Sequence, residues 1–200
     1  LYEEFFSDHG KHIGQVLLTS ADIEDRTRYL NARHTLCHLL DHGIIPVVNE
    51  NDSVAIDELK FGDNDRLSAL VAGLVEADLL ILLTDVVGVY LGNPGDSPVI
   101  EVIEDSDAVA SGTDTSAGQL GTGGMASKLA AARAAAHRGI PSVIASGIDT
   151  GVLANIVDPE TSVGTLVPGS DTPMSNRKHW IAYGVATRGR LMVDAGATRA

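Results

Sequence analysis

Short aliphatic runs alternate along this chain with stretches of helical period, and that alternation constrains the fold more than any other feature. Gln15–Thr19, Ile44–Val48, Leu79–Leu83 and Pro141–Ala145 each have the length of a strand. Leu79-Leu-Ile-Leu-Leu83 carries apolar side chains on both faces, as a central parallel strand does. Pro46 limits its own strand mildly, because it gives the ladder no donor. Tyr29, Leu36, Leu39 and Leu40 predict a helix over 26–42, stopped by Gly43. Leu67, Leu70, Val71 and Leu74 predict a second, capped by Asp63 or Asp65 and running to Ala77. An alanine-rich segment from Met125 to Arg138, closed by Gly139, predicts a third, its alanines read as high helix propensity. Leu1–Phe6 reads as part of an amphipathic helix, and the turn residues from Gly88 to Pro98 as a hairpin. Strands alternating with helices predict an α/β fold. Its sheet is mainly parallel, with helices on both faces in a three-layer sandwich and right-handed crossovers.

At 200 residues and 44% hydrophobic content the chain can bury a core without staples. Its single cysteine, Cys37, excludes an internal disulfide framework and fits a reducing, cytoplasmic setting. With 27 acidic against 14 basic side chains the formal charge is −13. That sign weighs against nucleic acid or an anionic membrane surface as the main partner. The longest aliphatic run is far too short to span a bilayer, and no targeting segment is visible.

Open parallel sheets bind ligands beyond the carboxyl ends of their strands. Three polar clusters fall there. Gly121-Thr-Gly-Gly124 opens the alanine-rich helix, and glycines at a helix N-terminus suit an anion such as phosphate. Lys128 stands close enough in sequence to reach the same anion. The pattern is not a Walker A loop, whose lysine follows its last glycine directly. A flexible surface loop with a solvated lysine is the plain alternative. Asn49-Glu-Asn-Asp52 follows the strand Ile44–Val48, and Gly62-Asp-Asn-Asp65 precedes a helix. Their carboxylates and amides suit a zwitterion such as an amino acid, or the holding of cationic side chains near a phosphate. A solvated acidic loop explains them too. As a metal site they lack EF-hand spacing and a histidine. Thr84-Asp85 follows the strand Leu79–Leu83, where a turn pair is ordinary, but a hydroxyl and a carboxylate there could meet a nucleotide. His34, His38 and His42 share one helix face, read as polar surface rather than a zinc stripe. Cys37 has no nucleophile signature and reads as buried filler.

Taken in order, Val47-Val-Asn-Glu-Asn-Asp52, Gly62-Asp-Asn-Asp65, Leu82-Leu-Thr-Asp85 with Gly88 and Tyr90, Gly121-Thr-Gly-Gly-Met-Ala-Ser-Lys128 and Asn176-Arg-Lys-His-Trp180 resemble the amino acid kinase family. Within it they are most similar to the branch that phosphorylates glutamate, and the resemblance covers essentially the whole chain. It implies a carbamate-kinase-like fold. The implied reaction is transfer from Mg-ATP to the side-chain carboxylate of L-glutamate, the first step of proline synthesis. It assigns glutamate to Asp52, Asn64 and Asp63, and the nucleotide to Thr84 and Asp85. The phosphates fall to Thr122, Gly123, Gly124, Met125, Ala126, Ser127 and Lys128. Lys128 would stabilise the transferring phosphoryl group and Asp65 would orient catalytic lysines. ATP and Mg2+ are the implied cofactors, proline the implied feedback inhibitor, and a homo-oligomer the implied assembly. A non-catalytic nucleotide-binding module, or a kinase of the same family with another acceptor, are the alternative readings.

The chain begins at Leu1, and its methionines are Met125, Met174 and Met192. The family's first strand, with its ATP-binding lysine and Gly/Ser loop, has no counterpart here. The expectation is therefore a fragment lacking its N-terminal portion and inactive alone. Residues 1–186 are expected to form the larger part of the kinase domain. Residues 187–200 are expected to hold a linker and, near Arg190–Val193, the first strand of a truncated PUA domain.

Overall fold

The computed structural model describes residues 2–53, 64–92, 97–104 and 124–186. The helix α1 (Tyr2–Ser7) leads into β1 (His12–Leu18). Two helices, α2 (Ser20–Glu24) and α3 (Arg26–Asp41), carry the chain back to β2 (Ile44–Glu50). The strands β1 and β2 are parallel, in register from His12↔Ile44 to Leu18↔Glu50. Next come α4 (Asn64–Val75), β3 (Leu80–Thr84), α5 (Gly124–His137) and β4 (Ser142–Ser146). The strands β3 and β4 are also parallel, from Leu80↔Ser142 to Thr84↔Ser146. After α6 (Val152–Val157), the short β5 (Thr165–Val167) joins β4 antiparallel. The chain then forms α7 (Asn176–His179), which continues as a π-helical turn, Trp180–Gly184. Among the described residues the two parallel pairs belong to separate ladders, β1–β2 and β3–β4–β5.

The expected elements are present with bounds shifted by at most three residues, the largest shift being at β1, which starts at His12 rather than Gln15. Gly43 and Gly139 end α3 and α5 in the left-handed conformation, at φ +70° and +83°. The hairpin appears as an antiparallel bridge between Tyr90 and Val99. The chain also forms short elements that its periodicity does not announce, namely α2, α6, β5 and the Asn176–Gly184 segment.

One helix serves two cores. Leu67, Leu70 and Leu74 of α4 pack with Leu18, Ile23, Tyr29 and Leu36. Ala69 and Ala72, on another side of α4, pack with α5 and with Leu80, Leu82 and Ile144 of the β3–β4 sheet. The alanines of α5 turn out to matter for packing as much as for propensity. Ala131, Ala132, Ala134, Ala135 and Ala136 are all buried, and small side chains let two helix backbones approach closely. The opposite face of the sheet carries Val143 and Ala145 under Val152 of α6. Helices thus lie on both faces, as expected. Burial of β3 is one-sided, however: Leu80 and Leu82 point into the core, whereas Leu83 is 44% exposed. Cys37 is half-buried and unpaired rather than fully enclosed, and His34, His38 and His42 all stand on the exposed face of α3 and its cap.

Candidate active site

The strands end in polar residues. Asn51 and Asp52 follow β2, and the Asn51 N–H donates to the Leu18 carbonyl at the end of β1 (2.9 Å). Asp85 follows β3, and the Thr84 carbonyl accepts from the Gly147 N–H beyond β4 (2.8 Å). Each parallel pair is therefore tied at its carboxyl edge. Helices returning from such edges begin there, so α4 and α5 start on the side where a ligand is expected.

These two helix starts meet. Lys128 Nζ donates to both carboxylate oxygens of Asp65, at 2.9 and 3.0 Å. Both side chains are largely enclosed, at 17% and 18% exposure. Asp65 lies in the first turn of α4, where the helix dipole favours a negative charge. Ser68 Oγ donates to the Asp65 carbonyl (2.7 Å) and braces that turn. Lys128 lies near the start of α5, where the same dipole disfavours a cation, and the Asp65 carboxylate offsets that cost. The close Ala-to-Ala packing of α4 on α5 brings the two side chains within reach.

The start of α5 is open. Gly124 and Ala126 are exposed, and a Cβ built on Gly124 would meet nothing within 4 Å. The first amides of a helix have no partner within it. The open first amides of α5 therefore suit an anion, beside a Lys128 ammonium whose charge Asp65 holds in place. Met125 is partly buried against the α4–α5 core, which fixes the first turn from inside.

Of the other predicted residues, Thr84 Oγ1 donates to the Asp85 carboxylate (3.1 Å), the local turn bond expected of such a pair. Asp52 and Asn64 are exposed. Among the described residues, no hydrogen bond or ion pair joins Asp52 to Asp65 or Lys128. Asp63, Thr122 and Gly123 lie outside the described residues. The structure thus brings Asp65 and Lys128 together, places Thr84, Asp85 and Asp52 at strand ends, and leaves Asp52 apart from the ion pair.

One residue at this edge escapes the sequence reading. Thr19 follows β1 and forms a capping box with Asp22, whose carboxylate accepts from the Thr19 N–H (2.8 Å) and Oγ1 (2.6 Å). A hydroxyl followed three residues on by an acid is the signal that finds such a cap. Its side chain is occupied by that cap. Among the described residues no group of three His, Cys, Asp or Glu side chains could hold a metal ion, and no helix is long and apolar enough to cross a membrane.

Comparison with known proteins follows the same lines. A glutamate 5-kinase of Moorella thermoacetica is 49% identical over 207 residues, which is 100% of this chain and 54% of that protein. A glutamate 5-kinase of Escherichia coli is 50% identical over 204 residues, 100% of this chain and 55% of that protein. The chain spans about half the length of the curated relatives it matches. Among solved structures, a T. acidophilum isopentenyl phosphate kinase in a product complex superposes with a TM-score of 0.51 at 18% identity. That match covers 80% of this chain and 62% of the other, and it speaks for the fold alone. Residues 1–146 match the amino acid kinase family, whose fold this chain has, and the chain belongs to that family.

Proposed function

We propose that this chain carries most of the active centre of a glutamate 5-kinase, which transfers the γ-phosphoryl group of ATP to the side-chain carboxylate of L-glutamate. The observation that carries the reading is the Asp65–Lys128 pair at the convergence of two helix N-termini. Its support from relatives is about 50% identity to proteins of that name along the whole chain. An anionic carboxylate must approach an anionic phosphate, so the site has to supply positive charge that is already oriented. The ammonium of Lys128 and the first amides of α5 supply it. Asp65 fixes the ammonium in one place, so little reorganisation remains when charge shifts in the transition state.

The remaining assignments belong to the same proposal. Gly124 to Ser127, with Thr122 and Gly123 before them, would cradle the phosphates, and the open space above Gly124 suits that role. Thr84 and Asp85, at the end of β3, would meet the nucleotide. Asp52, Asn64 and Asp63 would take the amino acid, carboxylates receiving its ammonium and amides its carboxylate. Magnesium, when bound, neutralises phosphate charge. The described residues offer it no ready-made cage, so its ligands would be chiefly phosphate oxygens and water, as is usual for this ion. A cytoplasmic homo-oligomer, restrained by proline, completes the reading. So does the division into a kinase portion, 1–186, and the start of a PUA domain, 187–200.

The test joins this chain to the part of the Moorella relative that it does not span. Glutamate, ATP and hydroxylamine are then supplied, and hydroxamate is measured. Turnover is expected from the joined protein and none from the 200 residues alone. Lys128→Ala should lower kcat by about 10²- to 10³-fold, the scale of losing one preorganised charge-stabilising group. Nucleotide binding without transfer in the joined protein would favour the non-catalytic reading. Transfer to aspartate, acetylglutamate or UMP in preference to glutamate would favour another acceptor.

A further inference from the structure

The segment Asn176–Gly184 runs beside α4 from one end of that helix to the other. Past the carboxyl end of α4, Asn176 Nδ2 donates to Glu76 Oε1 (2.9 Å), which also receives Arg33 (3.4 Å) and Arg138 (3.3 Å). Three residues further along the chain, His179 is 2% exposed and wedged between α4 and α5. Its Nε2 donates to the Ala134 carbonyl (2.9 Å), and a Cβ on Gly73 would come within 3.3 Å of its ring. Trp180 Nε1 donates to the Ile23 carbonyl (2.7 Å), and the Arg26 guanidinium lies 5.2 Å from its ring. The Tyr183 ring packs against His179 at 4.9 Å and its hydroxyl bonds to His137 Nδ1. At the amino end of α4, Arg66 Nη2 donates to the Tyr183 carbonyl (3.1 Å). That carbonyl belongs to the last turn of the π-helical segment, where carbonyls lack helical partners and the dipole welcomes a cation.

Arg66 is the neighbour of Asp65, the residue that holds Lys128. We infer that Asn176–Gly184 is a strap that sets the first turn of α4, and that Arg66 is the positioning residue through which it acts on the Asp65–Lys128 pair. Among the described residues, no hydrogen bond or ion pair joins the strap to Asp65 or Lys128. It fixes where the Asp65 backbone sits, and the 2.9 and 3.0 Å contacts follow from that placement. π-Helical turns are rare and tend to occur where function demands a local departure from α geometry. Here the turn points the Tyr183 carbonyl at Arg66 while His179 and Trp180 stay in their pockets. The link to turnover rests on the kinase reading above; the geometric claim does not.

The test is designed to separate the two. The lysines of the chain are Lys11, Lys60, Lys128 and Lys178, so the 15N-labelled side-chain ammonium of Lys128 is readily assigned by nuclear magnetic resonance. In the unaltered 200-residue chain its signal should persist against solvent exchange, as a bidentate, enclosed ion pair requires. Arg66→Ala should abolish that persistence, Arg66→Lys should keep most of it, and Arg177→Ala, an exposed change within the strap, should leave it intact. Trp180 is the sole tryptophan, so its emission reports whether the strap remains docked in each variant. Tyr183→Phe, which removes the hydroxyl anchor and leaves the carbonyl, should broaden the signal partly, with no further loss in the double variant. An unchanged Lys128 signal in both Arg66→Ala and Tyr183→Phe overturns the strap, whatever the joined protein does with glutamate. In that joined protein Arg66→Ala should lower kcat about tenfold while KM for ATP and glutamate moves less than about twofold. A changed signal without any transfer activity would leave the strap standing and sink the kinase reading instead.

Discussion

Lys128 occupies an awkward place, near the positive end of α5, and keeps it because Asp65 meets it from the matching end of α4. The arrangement is economical for phosphoryl transfer, since the same field that strains a bare cation attracts an anion. Another residue shows how tightly the sheet beside it is drawn. Gly164, just before β5, has φ +74°, and a Cβ there would overlap the Ile144 carbonyl oxygen and press on Ala145. Neither backbone atom can move without breaking the β4–β5 ladder. Gly164→Ala should therefore destabilise the chain by about 3 kcal/mol or more, from overpacking together with left-handed strain. Urea unfolding followed by circular dichroism would show it. A midpoint within error of the parent would mean that β5 yields easily, contrary to this geometry.

The elements differ in how much pH they feel. His179 in the strap has its pKa lowered, first by burial, with the nearby Arg138 and His137 charges adding to the effect. The bond to Ala134 works the other way, since a carbonyl acceptor holds the protonated ring more strongly than the neutral one. A base whose folded pKa is depressed stabilises the fold above its unfolded value, here 6.5. That contribution is lost as pH falls from there through the folded pKa. Glu76, at the other end of the strap, has its pKa lowered chiefly by the Asn176 hydrogen bond, with Arg33 and Arg138 assisting. Its contribution holds above 4.5 and fades only in stronger acid. Acidification from neutrality should thus loosen the strap first at His179, seen as a change in Trp180 emission that begins below pH 6.5. His179→Gln, which can still donate to Ala134, should remove that step and leave the more acidic one. An identical profile in the variant would assign the step to another group. Much of the element pattern was legible beforehand, because aliphatic pentads and helical repeats report burial directly. The strap was not: its residues are held one at a time by Glu76, Ala134, Ile23 and Arg66, and contacts between distant positions leave no period in the sequence. Asn176–Trp180 stood out only through resemblance.

At the scale of the whole molecule, the candidate site was half legible. The rule that ligands gather beyond strand ends picked out Thr84, Asp85 and Asp52, whereas Asp65 was tied to the catalytic lysines only through resemblance, and no period in the sequence explains why it meets Lys128. That was decided by α4, whose leucine face enters one core and whose alanine face enters the other. Among the described residues the two ladders share no strand pairing, while α4 and Tyr183 of the strap pack into the cores of both. A helix that contributes to both cores cannot leave one without exposing the other. Leu74, 0% exposed, is the side chain most enclosed on its leucine face. Leu74→Ala should cost about 2–5 kcal/mol, the range for truncating a buried leucine. Native-state hydrogen exchange gives the sharper reading. If α4 couples the ladders, amides of Val16 and Val48 and those of Leu82 and Ile144 should open with the same free energy. Leu74→Ala, made in the first core, should then lower protection in both ladders equally. Loss confined to β1–β2 would instead make the ladders independent units, and Asp65 would be held to Lys128 across a joint rather than within one body.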